Sequence, residues 1–296
     1  MRYAFSRIPV LLVALCTMLV FPALASGDSL GLITFESSQG YILGNIHNQP
    51  ITNNLPNGKW SKLGPYDVQV VSVSSFPAAA TYGFGSQALR LSNAVTSGSF
   101  GDQTFSPGLG DEAGESGASN AGLSGGVRQP HFDASFLIGT TQVAAQAGLR
   151  ITVSPDRGDG ARMSFLAFAD QADGVHVTFS DVVNKGPVGA ESDFRSSEIA
   201  VLSRDRSHLI QFSIDLKDGA ANDTVKIYID SRLVKTGSTW EDYYRYDSEQ
   251  TPQGNQVPTI DKLLFRMSST PAATTLGSGF LVDRVTLDSS GFNFRK

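Results

Sequence analysis

Apolar and polar residues alternate with a period of two along most of this chain. YDVQVVSV at 66–73 and FDASFLI at 132–138 are clear cases, and LIQFSIDL at 209–216 with TVKIYI at 224–229 forms the clearest pair. Alternation of this kind marks strands with one face buried and one facing water. Shorter apolar runs at 30–35, 88–91, 149–153, 162–169, 174–179, 263–267 and 280–287 extend the series, with Gly, Asp, Asn and Pro between them. After the first 25 residues no segment repeats apolar positions at the i, i+3, i+4 spacing of a helix, although 194–205 has room for one helical turn. Many short strands separated by turns predict an all-β fold, a two-sheet antiparallel sandwich with long loops.

Two regions break the pattern. At the start, Arg2 and Arg7 precede an apolar run that ends in Ala23-Leu24-Ala25. Charge, apolar stretch and small residues in that order predict a secretory signal peptide over 1–25, cleaved before Ser26. The expected product is a secreted or periplasmic protein with no membrane span in the mature chain. The single cysteine, Cys16, lies inside that segment. The mature chain then has no thiol for a disulfide, a metal or a nucleophilic step. The second break, 106–129, is rich in Gly, Ser and Ala and carries Asp111, Glu112 and Glu115; it predicts a flexible insertion. Loss of Arg2 and Arg7 takes the formal charge from −5 to −7. An acidic chain without a Lys/Arg run is a poor partner for nucleic acid or an anionic membrane.

The segment 207–237 carries a family signal. A strand is followed by a polar turn, then VKIYID and LVKTG. It resembles the hairpin of the concanavalin A-like lectin/glucanase superfamily, which includes laminin G-like domains. Ser231 stands where that pattern usually has Gly. ITFES at 33–37 and GFLVDRVTL at 279–287 look like the first and last strands of carbohydrate-binding jelly rolls. The resemblance implies one jelly-roll domain over 26–296, with adjacent termini and a sugar-binding sheet face. It also implies a structural Ca²⁺ held by Glu36 and Asp283, since hard oxygen donors suit that ion.

The residues richest in recognition chemistry are Trp240, Glu241, Asp242, Tyr243, Tyr244, Arg245 and Tyr246. Aromatic rings stack on the apolar faces of sugars, while acids and arginine bond hydroxyls or carboxylates. The same loop could instead plug the end of the sandwich. Asp156-Arg157-Gly158-Asp159-Gly160-Ala161-Arg162 joins two strands. It reads as a tight turn with internal Asp–Arg pairing, or through its RGD tripeptide as an adhesion motif. If it shares a face with the aromatic segment, Arg157 and Arg162 could grip an acidic sugar, because guanidinium matches carboxylate bidentately.

Catalytic signals are sparse. The E-x-D-x-x-E strand of the superfamily's glucanases is absent, and Glu241 and Asp242 are adjacent, so on a strand they would point to opposite faces. Of the motifs in its alginate-lyase type, only FRSSEI at 194–199 faintly resembles one. Tyr243, Tyr244 and Arg245 with a histidine could still form a β-elimination set. His47, His131, His176 and His208 have no metal-ligand spacing, and G-x-S-x-G, phosphate-loop and H-E-x-x-H motifs are missing. The expected function is polysaccharide binding. A polysaccharide-cleaving enzyme, lyase before hydrolase, is the alternative, followed by a structural or adhesion protein of the matrix or envelope.

Overall fold

The computed structural model describes residues 27–50, 58–64, 66–77, 81–97, 102–118, 126–183, 187–250, 257–267 and 270–291. The signal peptide expected over 1–25 lies outside the described residues. Among those described, no helix is long and apolar enough to cross a membrane.

The fold is a two-sheet antiparallel jelly-roll sandwich. In chain order its strands are β1 (Gly44–Asn45), β2 (Ser61–Leu63), β3 (Asp67–Ser72), β4 (Gln87–Ser92), β5 (Gln103–Phe105), β6 (His131–Thr140), β7 (Arg150–Asp156), β8 (Phe165–Gln171), β9 (Gly174–Val183), β10 (Asp193–Leu202), β11 (His208–Asp215), β12 (Thr224–Ile229), β13 (Arg232–Gly237), β14 (Lys262–Arg266) and β15 (Phe280–Asp288). The eight-stranded sheet runs β1-β3-β4-β15-β6-β11-β12-β13, and the seven-stranded sheet runs β10-β9-β8-β7-β14-β5-β2. One short helix, α1 (Glu241–Tyr246), follows β13.

Strand alternation decides which side chains meet between the sheets. Phe132, Phe136, Phe212, Phe280 and Val282 face inward from the larger sheet; Ile151, Val153, Phe168, Phe179 and Phe265 face them from the smaller. Phe136 meets Phe168 at 6.3 Å and Phe265 at 5.9 Å between ring centroids, both edge to face. Trp60 is fully buried at the β2 end, its indole N–H donating to Tyr41 Oη at 3.0 Å.

The first and last described segments lie side by side. Leu30 N–H donates to Leu287 O, and Ile33 N–H to Val285 O, both at 2.9 Å. The 30–35 run makes only isolated bridges with β15 and is not a strand. The β12–β13 turn places Asp230 and Ser231 at φ 51° and 65°. Ser231 therefore adopts the left-handed conformation that glycine would take there at lower cost.

Two expectations are corrected. Residues 194–205 hold no helical turn; β10 occupies most of them as an edge strand paired, among the described residues, with β9 alone. Its mostly exposed residues hide the alternation that a half-buried strand would show. The 240–246 segment is largely helical rather than a loop: Glu241 and Asp242 begin α1 and Arg245 lies in its last turn, the charge order that suits a helix dipole. Of the 106–129 segment expected as a flexible insertion, part packs on the sandwich while Ser116, Gly117 and Val127 are exposed. Leu109 and Ala113 enter the core, Leu109 N–H donates to Asp261 O, and Ala113 and Ile260 exchange both backbone bonds at 2.8 Å. Residues 119–125 lie outside the described residues.

Candidate functional site

The outer face of the seven-stranded sheet carries polar and small side chains in a cross-strand row. Gln103, Arg266, Thr152, Ala167, Thr178 and Glu198 are successive neighbours across β5, β14, β7, β8, β9 and β10. One register step away, Phe165 pairs with Ser180 and Ser180 with Ser196. Phe165 is the large apolar residue on this stretch of the face, and α1 docks beside it.

The Asp156–Arg162 turn builds the next part. Asp156 closes β7 and its Oδ1 accepts the N–H groups of Gly158 at 2.6 Å and Gly160 at 3.1 Å. Both glycines have φ near +98°, a conformation that side-chain-bearing residues rarely adopt. Arg157 pairs with Asp159 at 2.6 Å. The turn thus has internal Asp–Arg pairing, and the RGD tripeptide is part of it.

Arg162 has a different environment. It is 9% exposed, and its guanidinium carbon lies 4.9 Å from the Phe165 ring centroid and 5.4 Å from that of Trp240. Among the described residues its side chain has no ion pair or hydrogen bond. Burial lowers its pKa, opposed by the charges of Tyr244 and Asp156.

The 240–246 segment completes the cluster. Trp240 N–H donates to Met163 O at 2.7 Å, and the buried Tyr244 hydroxyl donates to Arg162 O at 3.0 Å. These bonds fix α1 against the β7–β8 connection. Trp240 meets Phe165 at 5.8 Å, Phe194 at 5.2 Å and Tyr243 at 5.8 Å, all edge to face. Phe194 is half exposed. Several polar atoms nearby are buried without a hydrogen-bond partner: Trp240 Nε1, Ser164 Oγ, Thr152 Oγ1 and Asp156 Oδ2. Such atoms normally find water or a ligand. Burial pushes Asp156 up to about 6.

The sequence-predicted residues therefore divide. Arg162, Trp240, Tyr243 and Tyr244 come together, with Tyr244 as a buried support. Arg157 is held in its turn by Asp159. Asp242 is buried, and Tyr246 offers its carbonyl to Gly189 N–H at 2.7 Å. Glu241 and Arg245 face the other way. With Glu115 and Asp223, Glu241 forms a buried acidic cluster that could hold a metal ion, one oxygen of each lying within 4.8 Å of the others. Sequence reasoning missed Phe165 and Phe194 as platform members, although strand alternation places Phe165 on the outward side of β8. It also missed the partnership of Glu115 and Asp223, which no spacing announces.

Glu36 and Asp283 do meet, on the turn that enters β4. Glu36 Oε1 accepts Ser86 N–H at 2.6 Å and Gln87 N–H at 3.0 Å; Asp283 Oδ2 accepts Gly85 N–H at 2.9 Å. Burial, then the charge of Glu36, raises Asp283 to about 6 despite those bonds.

The elimination set expected from the sequence is not assembled. Tyr243 Oη donates to Glu249 at 2.9 Å and accepts from Gln250 at 2.8 Å, and burial raises its pKa to about 12. His131 lies between Asp133 and Asp215, His176 between Asp173 and Glu198, and His208 beside Asp230; His47 Nδ1 accepts Lys62 N–H. None bonds Tyr243, Tyr244 or Arg245.

No protein-family model matches the chain, and no curated protein sequence is similar to it. Similar solved structures include an alginate lyase in complex with an alginate trisaccharide, 13% identical over 89% of this chain and 98% of that one, TM-score 0.48. Another is the endo-β-1,4-glucuronan lyase of the fungus Trichoderma reesei, 11% identical over 84% and 94%, TM-score 0.41. A sialidase is 13% identical over 78% of this chain, TM-score 0.41, and the chain spans 17% of its length. At these identities and TM-scores the likenesses carry nothing about activity or substrate.

Proposed function

We propose that this chain is a secreted or periplasmic protein that binds an acidic polysaccharide on the outer face of its seven-stranded sheet. One observation carries the reading: Arg162 is nine-tenths buried between Phe165 and Trp240, with no carboxylate in ion-pair contact and only the longer-range charge of Asp156 to offset its own. A buried cation without a counter-ion is costly. A uronate carboxylate supplies the missing charge in bidentate geometry. The Trp240, Phe194 and Tyr243 rings offer a platform for sugar faces. Arg157, Asp242 and Tyr246 flank this platform in the reading, while Glu241 and Arg245 hold α1 from its other side.

The reading takes residues 1–25 as the signal peptide and 26–296 as one concanavalin A-like domain. A structural Ca²⁺ at Glu36 and Asp283 belongs to it as well, sharing oxygens that already accept backbone N–H groups.

Electrophoresis through gels containing a polyuronate or a neutral glucan tests the proposal. The protein should be retarded by the polyuronate alone, and Arg162→Gln or Trp240→Ala should release it. Equal retardation by both polymers, or retention by Arg162→Gln, would defeat it. Release of unsaturated uronates, read by their ultraviolet absorbance, would move the site to a lyase.

A further inference from the structure

On the opposite side of α1 from the aromatic platform, three carboxylates converge from separate parts of the chain. Glu115 comes from the connection after β5, Asp223 precedes β12, and Glu241 opens α1. They are 7%, 6% and 2% exposed. Their oxygens are held by backbone donors: Gly219 N–H on Glu115 Oε2 at 2.9 Å, Lys217 N–H on Asp223 Oδ1 at 2.8 Å and Asn222 N–H on Glu241 Oε1 at 3.0 Å. Arg245 bonds Glu115 through Nη2. One guanidinium thus faces three acids.

A second, independent observation points to a ligand. Glu241 Oε2 is buried, lies within the cluster and accepts no hydrogen bond. Its nearest cationic atom, Arg245 Nε at 3.5 Å, is itself buried without a hydrogen bond. That separation is too long for a good N–H···O bond. Close by, Asn222 Oδ1 is also buried and unbonded. A surface cavity of ≈ 360 Å³, lined in part by Glu115, Lys217 and Asp218, reaches the Glu115 side of the cluster.

We infer that Glu115, Asp223 and Glu241 hold a calcium ion. The donor set is all oxygen, which suits a hard cation and excludes the soft and imidazole-loving metals. Oxygens on one Ca²⁺ at ~2.3–2.6 Å sit no more than about 5 Å apart, and the three carboxylates meet that limit. Asn222 Oδ1, Thr239 Oγ1 and water from the cavity can fill further positions. The ion ties the connection after β5, the β11–β12 turn and α1 to one point. It thereby fixes the element that carries Tyr243 and Tyr244.

Chelator-treated protein titrated with Tb³⁺ should show emission sensitised by Trp240 and its neighbouring tyrosines, displaced by Ca²⁺. Calcium at about a hundred times its Kd should raise Tm by roughly 5–10 °C. Glu241→Gln, which retains an acceptor for Asn222 N–H, and Asp223→Asn should each weaken both responses at least about tenfold, from the loss of a ligand charge. Asp173→Asn, at an exposed carboxylate outside both acidic groups, should leave both intact. Absence of emission and of a Tm shift, survival of both in the Glu241 and Asp223 variants, or their loss in Asp173→Asn would overturn the assignment.

Discussion

Replacement of Arg162 by glutamine should weaken polyuronate binding while leaving the fold nearly as stable as before. Two opposing contributions set the stability. The guanidinium lies over Phe165 and Trp240 at 4.9 and 5.4 Å, contacts that stabilise by about 0.5–2 kcal/mol. Against this, the side chain is a 9%-exposed cation with no ion pair, and withdrawal of such a charge from water costs on the order of 1–3 kcal/mol or more. The two nearly cancel. The net change should stay within about 1 kcal/mol, which is roughly 2–4 °C in Tm for a chain of this size. Binding has no such compensation. A bidentate charged contact contributes about 1.5–3 kcal/mol, so a short oligouronate should bind about 10- to 150-fold more weakly. Arg162→Lys keeps the charge but loses the planar fork and should fall between. Calorimetric titration with an oligouronate and thermal melting of the three proteins give both numbers. A Tm drop of more than about 10 °C with affinity unchanged would mean that Arg162 is structural cement.

Tyr244 should behave in the opposite way, because it is buried beneath the platform: Tyr244→Ala should cost about 3–5 kcal/mol of stability in urea unfolding, whereas Tyr244→Phe loses only the bond to Arg162 O, about 1 kcal/mol. A mild Tyr244→Ala would show that α1 is not anchored by this ring. Asp67 accepts both Arg90 nitrogens at 2.5 and 2.6 Å with both residues buried, so Asp67→Ala should destabilise by about 3–5 kcal/mol in the same assay. Its carboxyl is held below the usual range, where the Arg90 bonds outweigh burial, so this stabilisation persists above pH ~4 and is lost as pH falls through the lowered value. Glu241, Asp261 and Asp156 are shifted the other way, to about 8, 7 and 6, with burial the largest cause. The folded state then keeps protons that the unfolded chain has released. In chelator, Tm should decline as pH rises from about 5 to about 9, and a rise across that window would refute the burial of these groups.

The sequence by itself determined the class of fold, and the reason is geometric. Side chains alternate across a strand, so every half-buried strand writes its period into the order of residues; ten of the expected runs became β3, β4, β6–β9, β11, β12, β14 and β15. Where that physics is silent, so was the reading. The edge strand β10 buries almost nothing, and β1, β2 and β5 are two or three residues long and take their partners from distant segments. The richness of the 240–246 segment in aromatic and charged residues was legible, but not which of them would face solvent. Tertiary structure alone decided that Tyr244 bonds Arg162, that Glu241 turns toward Glu115 and Asp223, and that Phe165 and Phe194 join Trp240. Glu115 and Glu241 are far apart along the chain, and an unpaired guanidinium is defined by what fails to approach it. Contacts of that kind arise when two sheets and the connections between them pack together, and no local pattern of residues encodes them.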